Sequence, residues 1–306
     1  MKTIFERLQE ICSCVLEQEP MAKHTTFKIG GPCDYMVLPK SVEEVKSILS
    51  FAKEENIRVT VLGNGSNVLV ADEGIEGIVL KTTEMKTITC NGEEITAQAG
   101  ARLSTLCEVA KEHSLGGLAE LSGIPGTVGG GVYMNAGAYG GEIKDTLVSS
   151  LYLNEHLELQ TLSAEEHELS YRHSIFHKQP QWIVLESTFK LTPANRDELH
   201  ETTVELLKKR NEKQPLEYPN AGSTFKRPEG YFAGKLIQDS DLRGFSVGGA
   251  QVSEKHCGFV INRGNATAKD VCDLIKAVRE RVLKEFGVTM EAEVRYLKRG
   301  CPEAKL

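Results

Sequence analysis

The residues of this chain with the clearest chemical potential lie in two glycine-rich stretches. The first is GNGSN, Gly63–Asn67, and the second is GIPGTVGGGVYMNAGAYGG, Gly123–Gly141. Glycine lets a backbone turn sharply and aim several amide groups at one anion, and Ser66 and Asn67 add side-chain donors. GNGSN alone is also compatible with a simple β-turn, and the longer stretch with a surface loop. As a pair they predict a cradle for a long ligand such as a dinucleotide.

Neither stretch matches a standard nucleotide-binding motif. GNGSN lacks the third glycine of the dinucleotide fingerprint and has Val68 in its place, and no Gly-Lys-Ser/Thr of a P-loop follows. The longer stretch is not typical of a flexible linker, because hydrophobic residues such as Ile124 and Val132 are threaded through its glycines. The two stretches therefore predict backbone contacts to a ligand without assigning its class.

Three further segments carry residues that could act on a bound substrate. YRHS places Arg172 just before an apolar strand, and a guanidinium matches a carboxylate or phosphate with a planar fork. NAGSTFKRP carries Ser223, whose hydroxyl could exchange a proton with help from Lys226 or Arg227, although no nucleophile elbow surrounds it. EAEVR begins the last strand with Glu293. A surface ion pair, an ordinary loop serine and an exposed strand end remain alternatives for the three segments.

Composition excludes several classes of function. A net charge of −7 argues against nucleic acid as the main partner, and no run approaches the ~20 apolar residues of a membrane span. The N-terminal segment contains acidic residues and is not typical of a signal peptide, so we expect a cytoplasmic protein. The eight cysteines form no C-x-x-C pair, and His173 and His177 lack an H-E-x-x-H context, so we expect no metal site.

The elements that would position these residues follow from hydrophobic periodicity. The pattern predicts a helix over 3–17, a strand over 58–62, and a hairpin turning at Asn91-Gly92. The strongest helix signal covers 267–286, with Gly287 placed to end it. A final strand is predicted over 293–297.

The order of these patterns indicates three regions. Residues 1–85 alternate helix and strand, residues 86–193 are mainly β, and composition changes again at Pro193 to open a third region over 194–306. We therefore expect an α+β fold with domains bounded near 85 and 193.

The motifs GNGSN, GIPGTVGG with NAGAYG, YRHS, NAGSTFKRP and EAEVR occur in one order over nearly the whole chain. In this combination the chain resembles the UDP-N-acetylenolpyruvoylglucosamine reductases, the MurB family. The resemblance implies a two-part FAD-binding fold of the vanillyl-alcohol-oxidase (PCMH) type, formed by 1–85 and 86–193. It also implies a C-terminal α/β substrate-binding domain over 194–306. The implied reaction reduces the enolpyruvyl ether of UDP-N-acetylglucosamine to UDP-N-acetylmuramate, a peptidoglycan precursor, with NADPH as hydride source.

The resemblance also implies roles for single residues. Arg172 is expected to hold and polarise the substrate carboxylate, Ser223 to donate a proton to the enol carbon, and Glu293 to work beside Arg172 on the enolic intermediate. Tyr139, Lys213 and Arg227 are expected to bind substrate, although some members carry asparagine where this chain has Arg227. The expected FAD contacts are Gly63, Asn64, Gly65, Ser66, Asn67, Gly123, Ile124, Pro125, Gly126, Thr127, Gly130, Ala136 and Gly137.

Several expectations accompany this assignment. Residues 62–70 contain no histidine or cysteine, which favours non-covalent FAD. The chain resembles the compact members that lack an extra tyrosine-bearing loop after YRHS, and we expect a monomer. Two alternatives remain: an FAD-dependent sugar or alcohol oxidase of the same fold class, and a non-enzymatic nucleotide-binding protein, which would be colourless when purified.

Overall fold

The computed structural model describes residues 2–304 and 306. Over these residues the α-helices are α1 (Ile4–Ile11), α2 (Val42–Glu54), α3 (Leu103–Glu112), α4 (Val128–Met134), α5 (Arg196–Lys213), α6 (Ala233–Asp239) and α7 (Ala268–Phe286). No helix in this described part is both long and apolar enough to cross a membrane.

The strands follow in chain order. Those of the first half are β1 (Val15–Pro20), β2 (Pro32–Val37), β3 (Val59–Leu62), β4 (Val68–Val70), β5 (Ile75–Lys81), β6 (Ile88–Asn91), β7 (Glu94–Gln98), β8 (Leu115–Gly116), β9 (Gly137–Ala138), β10 (Gly141–Glu142) and β11 (Leu147–Leu153). Those of the second half are β12 (Leu159–Ser163), β13 (Ile183–Lys190), β14 (Thr192–Pro193), β15 (Asn220–Ser223), β16 (Ser246–Val247), β17 (Ala250–Val252), β18 (Phe259–Asn262), β19 (Arg295–Lys298) and β20 (Cys301–Ala304).

The chain divides into two compact units, each assembled from separate segments. Unit 1 comprises Met1–Leu16, Met36–Asn64 and Ile78–Arg210, and unit 2 comprises Glu17–Tyr35, Gly65–Gly77 and Asn211–Leu306. The division into 1–85, 86–193 and 194–306 stays a prediction.

Unit 1 is built on an antiparallel sheet with the order β12-β11-β13-β7-β6. Its β6–β7 hairpin turns at Asn91-Gly92, as the sequence predicted. Apolar side chains from one face of the sheet, from α3 and from α4 form a continuous core that includes Val128, Val132 and Phe189. Outside this sheet, β3 pairs in parallel with β5 from Val59↔Ile78 to Leu62↔Lys81.

Unit 2 packs α7 against an antiparallel sheet with the order β15-β18-β17-β16. The predicted helix is confirmed: Thr267 and Asp270 form a capping box at its start, and Gly287 ends it in the left-handed region at φ 68°. A second sheet has the order β20-β19-β4, in which β19 runs parallel to β4. This pairing places the strand after GNGSN directly beside the strand that follows Glu293.

Two predictions about local structure are wrong. The helix predicted over 3–17 ends at Ile11, and Val15–Pro20 form β1 instead. β-branched Val15 and the Ser/Cys run before it favour extended backbone once a partner strand is available. The final strand begins at Arg295, so Glu293 lies two residues before it.

The Gly123–Gly141 stretch also departs from the expectation of a continuous backbone cradle, because its middle forms α4. An added Cβ at Gly129 would lie 2.8 Å from Ala99 Cβ, and one at Gly131 would lie 3.2 Å from Leu103 Cδ1. These two glycines therefore serve close helix packing, and the ligand contacts predicted for the stretch would have to come from its two ends.

Candidate active site

The two glycine-rich loops meet within unit 1. Asn64 Nδ2 donates to the carbonyl oxygen of Pro125 at 2.6 Å. An added Cβ at Gly63 would lie 2.4 Å from Thr127 Oγ1, which is inside van der Waals contact. Thr127 is buried and caps α4. The sequence predicted that both loops serve one ligand, and the structure brings their backbones side by side.

The composition and contacts of these loops suit a flavin dinucleotide. They carry no charged side chain, and the Oγ of buried Ser122, next to Gly123, has no hydrogen-bond partner among the described residues. Glycine keeps side chains off the loop backbone, and a backbone of this kind can bring its amide groups close to an anion. The residues present therefore fit FAD, which would be held by Gly63–Asn64 and by the 123–127 loop in this unit.

The first turn of α4 is poorly suited to binding an anion, because its backbone amides already have hydrogen-bond partners in the protein. The amides of Val128 and Gly129 donate to the carbonyl oxygens of Ala101 and Ala99, each at 2.8 Å. The Gly130 amide faces Thr127 Oγ1 at 3.4 Å. The amides of Val128 and Gly129 are therefore engaged within the protein, and a cofactor contact at Gly130 stays a prediction.

The second half of the stretch contacts the YRHS segment. Asn135, fully buried and in the left-handed region, ends α4 and donates through Nδ2 to Ser170 O at 3.0 Å and to Glu142 Oε2 at 3.1 Å. Ser174 Oγ donates to Tyr133 O at 2.6 Å. NAGAYG and YRHS, separated in sequence, thus form one local structure in unit 1.

Arg172 belongs to this local structure. Its Nη2 donates to the carbonyl oxygen of Gly137 at 3.3 Å, and its guanidinium lies 5.1 Å from the ring centroid of Tyr171. Its backbone has φ 54°, a left-handed value that is strained for a non-glycine residue and is common at functional sites. The hydrogen bond from Lys144 holds the pKa of the Glu142 carboxyl below its usual range, and the charge of Arg172 adds a smaller effect.

Arg210 is a cation near this structure that the sequence analysis missed. Its Cδ lies 2.9 Å from the position a Cβ would take at Gly123. Burial lowers the pKa of Arg210, and the hydroxyl of Tyr139 lies within electrostatic reach. No sequence signal distinguishes Arg210, because it is one of several basic residues on the charged helix α5.

Ser223 and Glu293 are brought close together within unit 2. Ser223 is exposed at the end of β15, following Gly222 at φ 77°, and the next residue, Thr224, is buried. The Glu293 amide donates to the carbonyl oxygen of Thr224 at 2.8 Å. The backbones that carry the predicted proton donor and the predicted acid are therefore adjacent.

Asn67 joins the glycine-rich loop to this pair. Its Nδ2 donates to Glu293 O at 3.2 Å, and its carbonyl oxygen accepts from the Arg295 amide at 3.0 Å. Its side-chain donor therefore contacts the segment just before β19 that carries Glu293, and the sequence gave no means of predicting this contact between residues 226 positions apart.

The two basic residues after Ser223 have protein partners. Lys226 Nζ contacts Glu291 Oε1 at 2.6 Å, and the Arg227 guanidinium lies 4.0 Å from the ring centroid of Phe232. Lys213 is exposed at the end of α5. The substrate contacts expected of Lys213 and Arg227 stay predictions.

The predicted site residues are divided between the two units. Unit 1 contains Gly63, Asn64, Gly123, Ile124, Pro125, Gly126, Thr127, Gly130, Ala136, Gly137, Tyr139 and Arg172. Unit 2 contains Gly65, Ser66, Asn67, Lys213, Ser223, Arg227 and Glu293.

Comparison with known protein families first identifies the class of protein to which the chain belongs. Residues 33–160 match the model of an FAD-binding domain, which makes the chain an FAD-binding protein. Residues 214–297 match the C-terminal domain of UDP-N-acetylenolpyruvoylglucosamine reductase. The prediction of an FAD-binding fold followed by a separate C-terminal domain is confirmed.

Full-length relatives give the family. The chain is 53% identical over 310 residues to a UDP-N-acetylenolpyruvoylglucosamine reductase of Agathobacter rectalis, covering 97% of this chain and 98% of the relative. It is 49% identical over 294 residues to that of Clostridium beijerinckii, covering 96% of each. The crystal structure of the Thermus caldophilus reductase (MurB) superposes with a TM-score of 0.79 at 33% identity, covering 92% of this chain and 98% of that one. The chain belongs to the UDP-N-acetylenolpyruvoylglucosamine reductase (MurB) family.

Proposed function

We propose that this chain reduces the enolpyruvyl ether of UDP-N-acetylglucosamine to UDP-N-acetylmuramate, with bound FAD and with NADPH as the hydride source. The observation that carries the proposal is the 53% identity to a reductase of this name over 97% of the chain. The contact between the two glycine-rich loops supports it, because loops that lie together without charged side chains of their own would offer backbone amides to the cofactor. Family membership favours this reduction over the flavin-dependent oxidase alternative.

When bound, FAD supplies the hydride chemistry, so the chain has to supply position and electrostatic field. Arg172 would pair with the substrate carboxylate, on which negative charge accumulates as the double bond is reduced. A cation that is already fixed beside the carboxylate lowers the activation barrier more than a cation that must first move into place. The strained backbone of Arg172 and its bond to Gly137 support this role, since both restrict where the guanidinium lies.

Ser223 would donate a proton from Oγ to the α-carbon. The side chain of Ser223 is exposed and therefore accessible to a substrate. The backbone of Glu293, which carries a carboxyl side chain, is bonded to the residue that follows Ser223. A serine hydroxyl is a weak acid, so it requires neighbouring groups that stabilise its conjugate base. We assign Glu293 to the handling of the enolic intermediate with Arg172.

Substrate and partner assignments complete the proposal. Tyr139, Lys213 and Arg227 would contact the UDP-sugar, and the exposed side chains of Tyr139 and Arg227 support this. We further propose a cytoplasmic monomer that binds neither nucleic acid nor membrane. Light scattering of the purified protein tests the monomer, and a dimer mass would contradict it.

Separate measurement of the two half-reactions tests the function. The purified protein should be yellow, should be bleached by NADPH without oxygen, and should regain its colour on addition of the enolpyruvyl substrate. Mass spectrometry should find a product heavier than the substrate by two hydrogens. A colourless protein at saturating FAD, or reoxidation by oxygen but not by the enolpyruvyl substrate, would refute the proposal.

A further inference from the structure

A chain of buried hydrogen bonds crosses the sheet of unit 1 next to the YRHS segment. His167 is fully buried; its Nδ1 lies 2.6 Å from Ser163 O and its Nε2 lies 2.9 Å from Ser150 Oγ. Ser150 Oγ in turn lies 2.8 Å from Ser187 Oγ on the neighbouring strand. No role has been assigned above to any of these four residues.

The chemistry of the partners fixes the direction of each bond. Ser163 O is a carbonyl oxygen and can only accept, so His167 Nδ1 carries the proton. In the neutral ring Nε2 then accepts from the Ser150 hydroxyl, and Ser150 Oγ accepts from Ser187. The imidazole is therefore held at both nitrogens in one tautomer and one orientation.

His167 is one of two fully buried anchors that bracket a short turn. The second anchor is Ser174, also fully buried, which donates to Tyr133 O in α4. Between them, Ser170 and His173 exchange both backbone hydrogen bonds, at 3.2 and 3.1 Å. Arg172 lies between Ser170 and His173. The turn that carries it is therefore attached to the sheet through His167 and to α4 through Ser174.

The turn needs such attachment because its backbone is strained. Arg172 has φ 54°, and Glu168, the residue after His167, has φ 49°. Non-glycine residues persist in this region only where the surrounding structure determines them. The bond from Asn135 Nδ2 to Ser170 O fixes the middle of the turn, and His167 fixes its beginning.

We propose that His167 is a positioning residue for Arg172: bonded at both ring nitrogens, it holds the turn 168–173 so that the guanidinium meets the substrate carboxylate. The proposal rests on the proposed function, since it assumes that Arg172 binds this carboxylate. It goes beyond that function because it assigns a role to a buried residue that contacts neither substrate nor cofactor.

The test compares two variants with the wild-type protein in the two half-reactions. His167→Phe keeps an aromatic ring beside Phe176 but removes both hydrogen bonds. We expect flavin reduction by NADPH to change less than about 2-fold and reoxidation by the enolpyruvyl substrate to slow about 10- to 100-fold, the usual cost of a misplaced positioning group. Ser187→Ala, which removes only the last bond of the chain, is the matched control and should stay within about 2-fold of wild type.

A double-mutant cycle shows whether the effect passes through Arg172. If it does, His167→Phe should slow reoxidation no further once Arg172→Lys is present, because the misplaced group is already impaired. A purely structural role predicts that the two losses multiply. Multiplied losses, or a His167→Phe rate equal to wild type, would overturn the proposal.

Separate measurements check that His167→Phe folds and that the His167 ring of the wild-type protein has the inferred tautomer. Circular dichroism and flavin absorbance should match wild type, and ¹⁵N NMR of histidine-labelled protein should show one imidazole protonated at Nδ1 that disappears in His167→Phe. If His167→Phe does not fold, Ser150→Ala serves instead, with an expected slowing of about 3- to 10-fold, and an unchanged rate again refutes the proposal. Failure of the wild-type protein in either half-reaction would refute the proposed function instead.

Discussion

At the scale of single residues, the structure distinguishes two neighbouring hydroxyls that the sequence could not rank. Thr224 is buried, and its Oγ1 accepts from the Val260 amide at 2.9 Å. Ser223 is exposed after a glycine with positive φ. Thr224 therefore holds the strand in place, and Ser223 is the hydroxyl that can reach a substrate.

We expect Ser223→Ala to leave flavin reduction by NADPH within about 2-fold of wild type. Reoxidation by the enolpyruvyl substrate should slow by about 10²-fold or more, the usual contribution of a positioned proton donor. Stopped-flow absorbance of the flavin measures both. Ser246→Ala, at another exposed serine of the same unit, should affect neither half-reaction. Equal losses in the two half-reactions would count against proton donation by Ser223.

At the scale of elements, Asn67 links the loop after Leu62 to the segment before β19. We expect Asn67→Ala to retain flavin, because its side-chain donor is bonded to Glu293 O and its predicted FAD contact would then be made by the backbone, which the substitution keeps. Reoxidation by substrate should slow about 10-fold as Glu293 loses its fixed position. Fluorescence titration with FAD and stopped-flow measurement separate the two effects. A protein that loses flavin while its remaining holoenzyme reoxidises normally would contradict this expectation.

The contact between Gly63 and Thr127 predicts a compensating pair of substitutions. Gly63→Ala places a methyl group 2.4 Å from Thr127 Oγ1, so we expect weaker FAD binding and a free energy of unfolding lower by about 1–3 kcal/mol, as for other overpacked sites. Adding Thr127→Ala removes that oxygen and should recover part of the FAD affinity, although loss of the α4 cap itself costs about 1 kcal/mol.

FAD titration and thermal unfolding of the two single variants and the double variant measure this compensation. Gly92→Ala is the control, because no atom lies within 4 Å of its added Cβ, although its positive φ carries a small cost of its own. Additive losses in the double variant would show that the two loops do not contact in solution.

At the scale of the whole molecule, the buried His167 and the half-buried His256 predict how stability depends on pH. Burial lowers the pKa of His167, against weaker opposing effects of Ser163 O and Glu166. Burial also lowers the pKa of His256, whose Nδ1 accepts from the Gly258 amide. Both therefore bind a proton less readily in the folded chain than in the unfolded chain.

We expect the free energy of unfolding to fall as the pH is lowered from 6.5. The unfolded histidines titrate near their ordinary value of 6.5 and then bind more protons than the folded ones, so protonation favours unfolding. Urea midpoints at pH 7.5 and 5.5, at saturating FAD, measure this. The decrease should be smaller in His167→Phe, and a midpoint that rises toward pH 5.5 would contradict the prediction.

Much of the fold could be predicted where local signals agree. The Asn91-Gly92 hairpin and helix α7 carry their own turn and cap residues, so no distant contact is needed to define them. The N-terminal helix was predicted too long because β1 depends on a strand partner that periodicity does not reveal. α4 was missed because its glycines disfavour a helix locally and are compensated only by packing on Ala99 and Leu103.

The sequence by itself determined the resemblance to the MurB family, because five short motifs occur in one order over nearly the whole chain, and that resemblance implied the cofactor and the reaction. Only the tertiary structure decided which distant residues are in contact. These contacts are the bond from Asn64 to Pro125, the bond from Asn67 to Glu293, and the attachment of the Arg172 turn through His167. These contacts join residues far apart in the chain, and their free energy comes from packing and burial that no local pattern records.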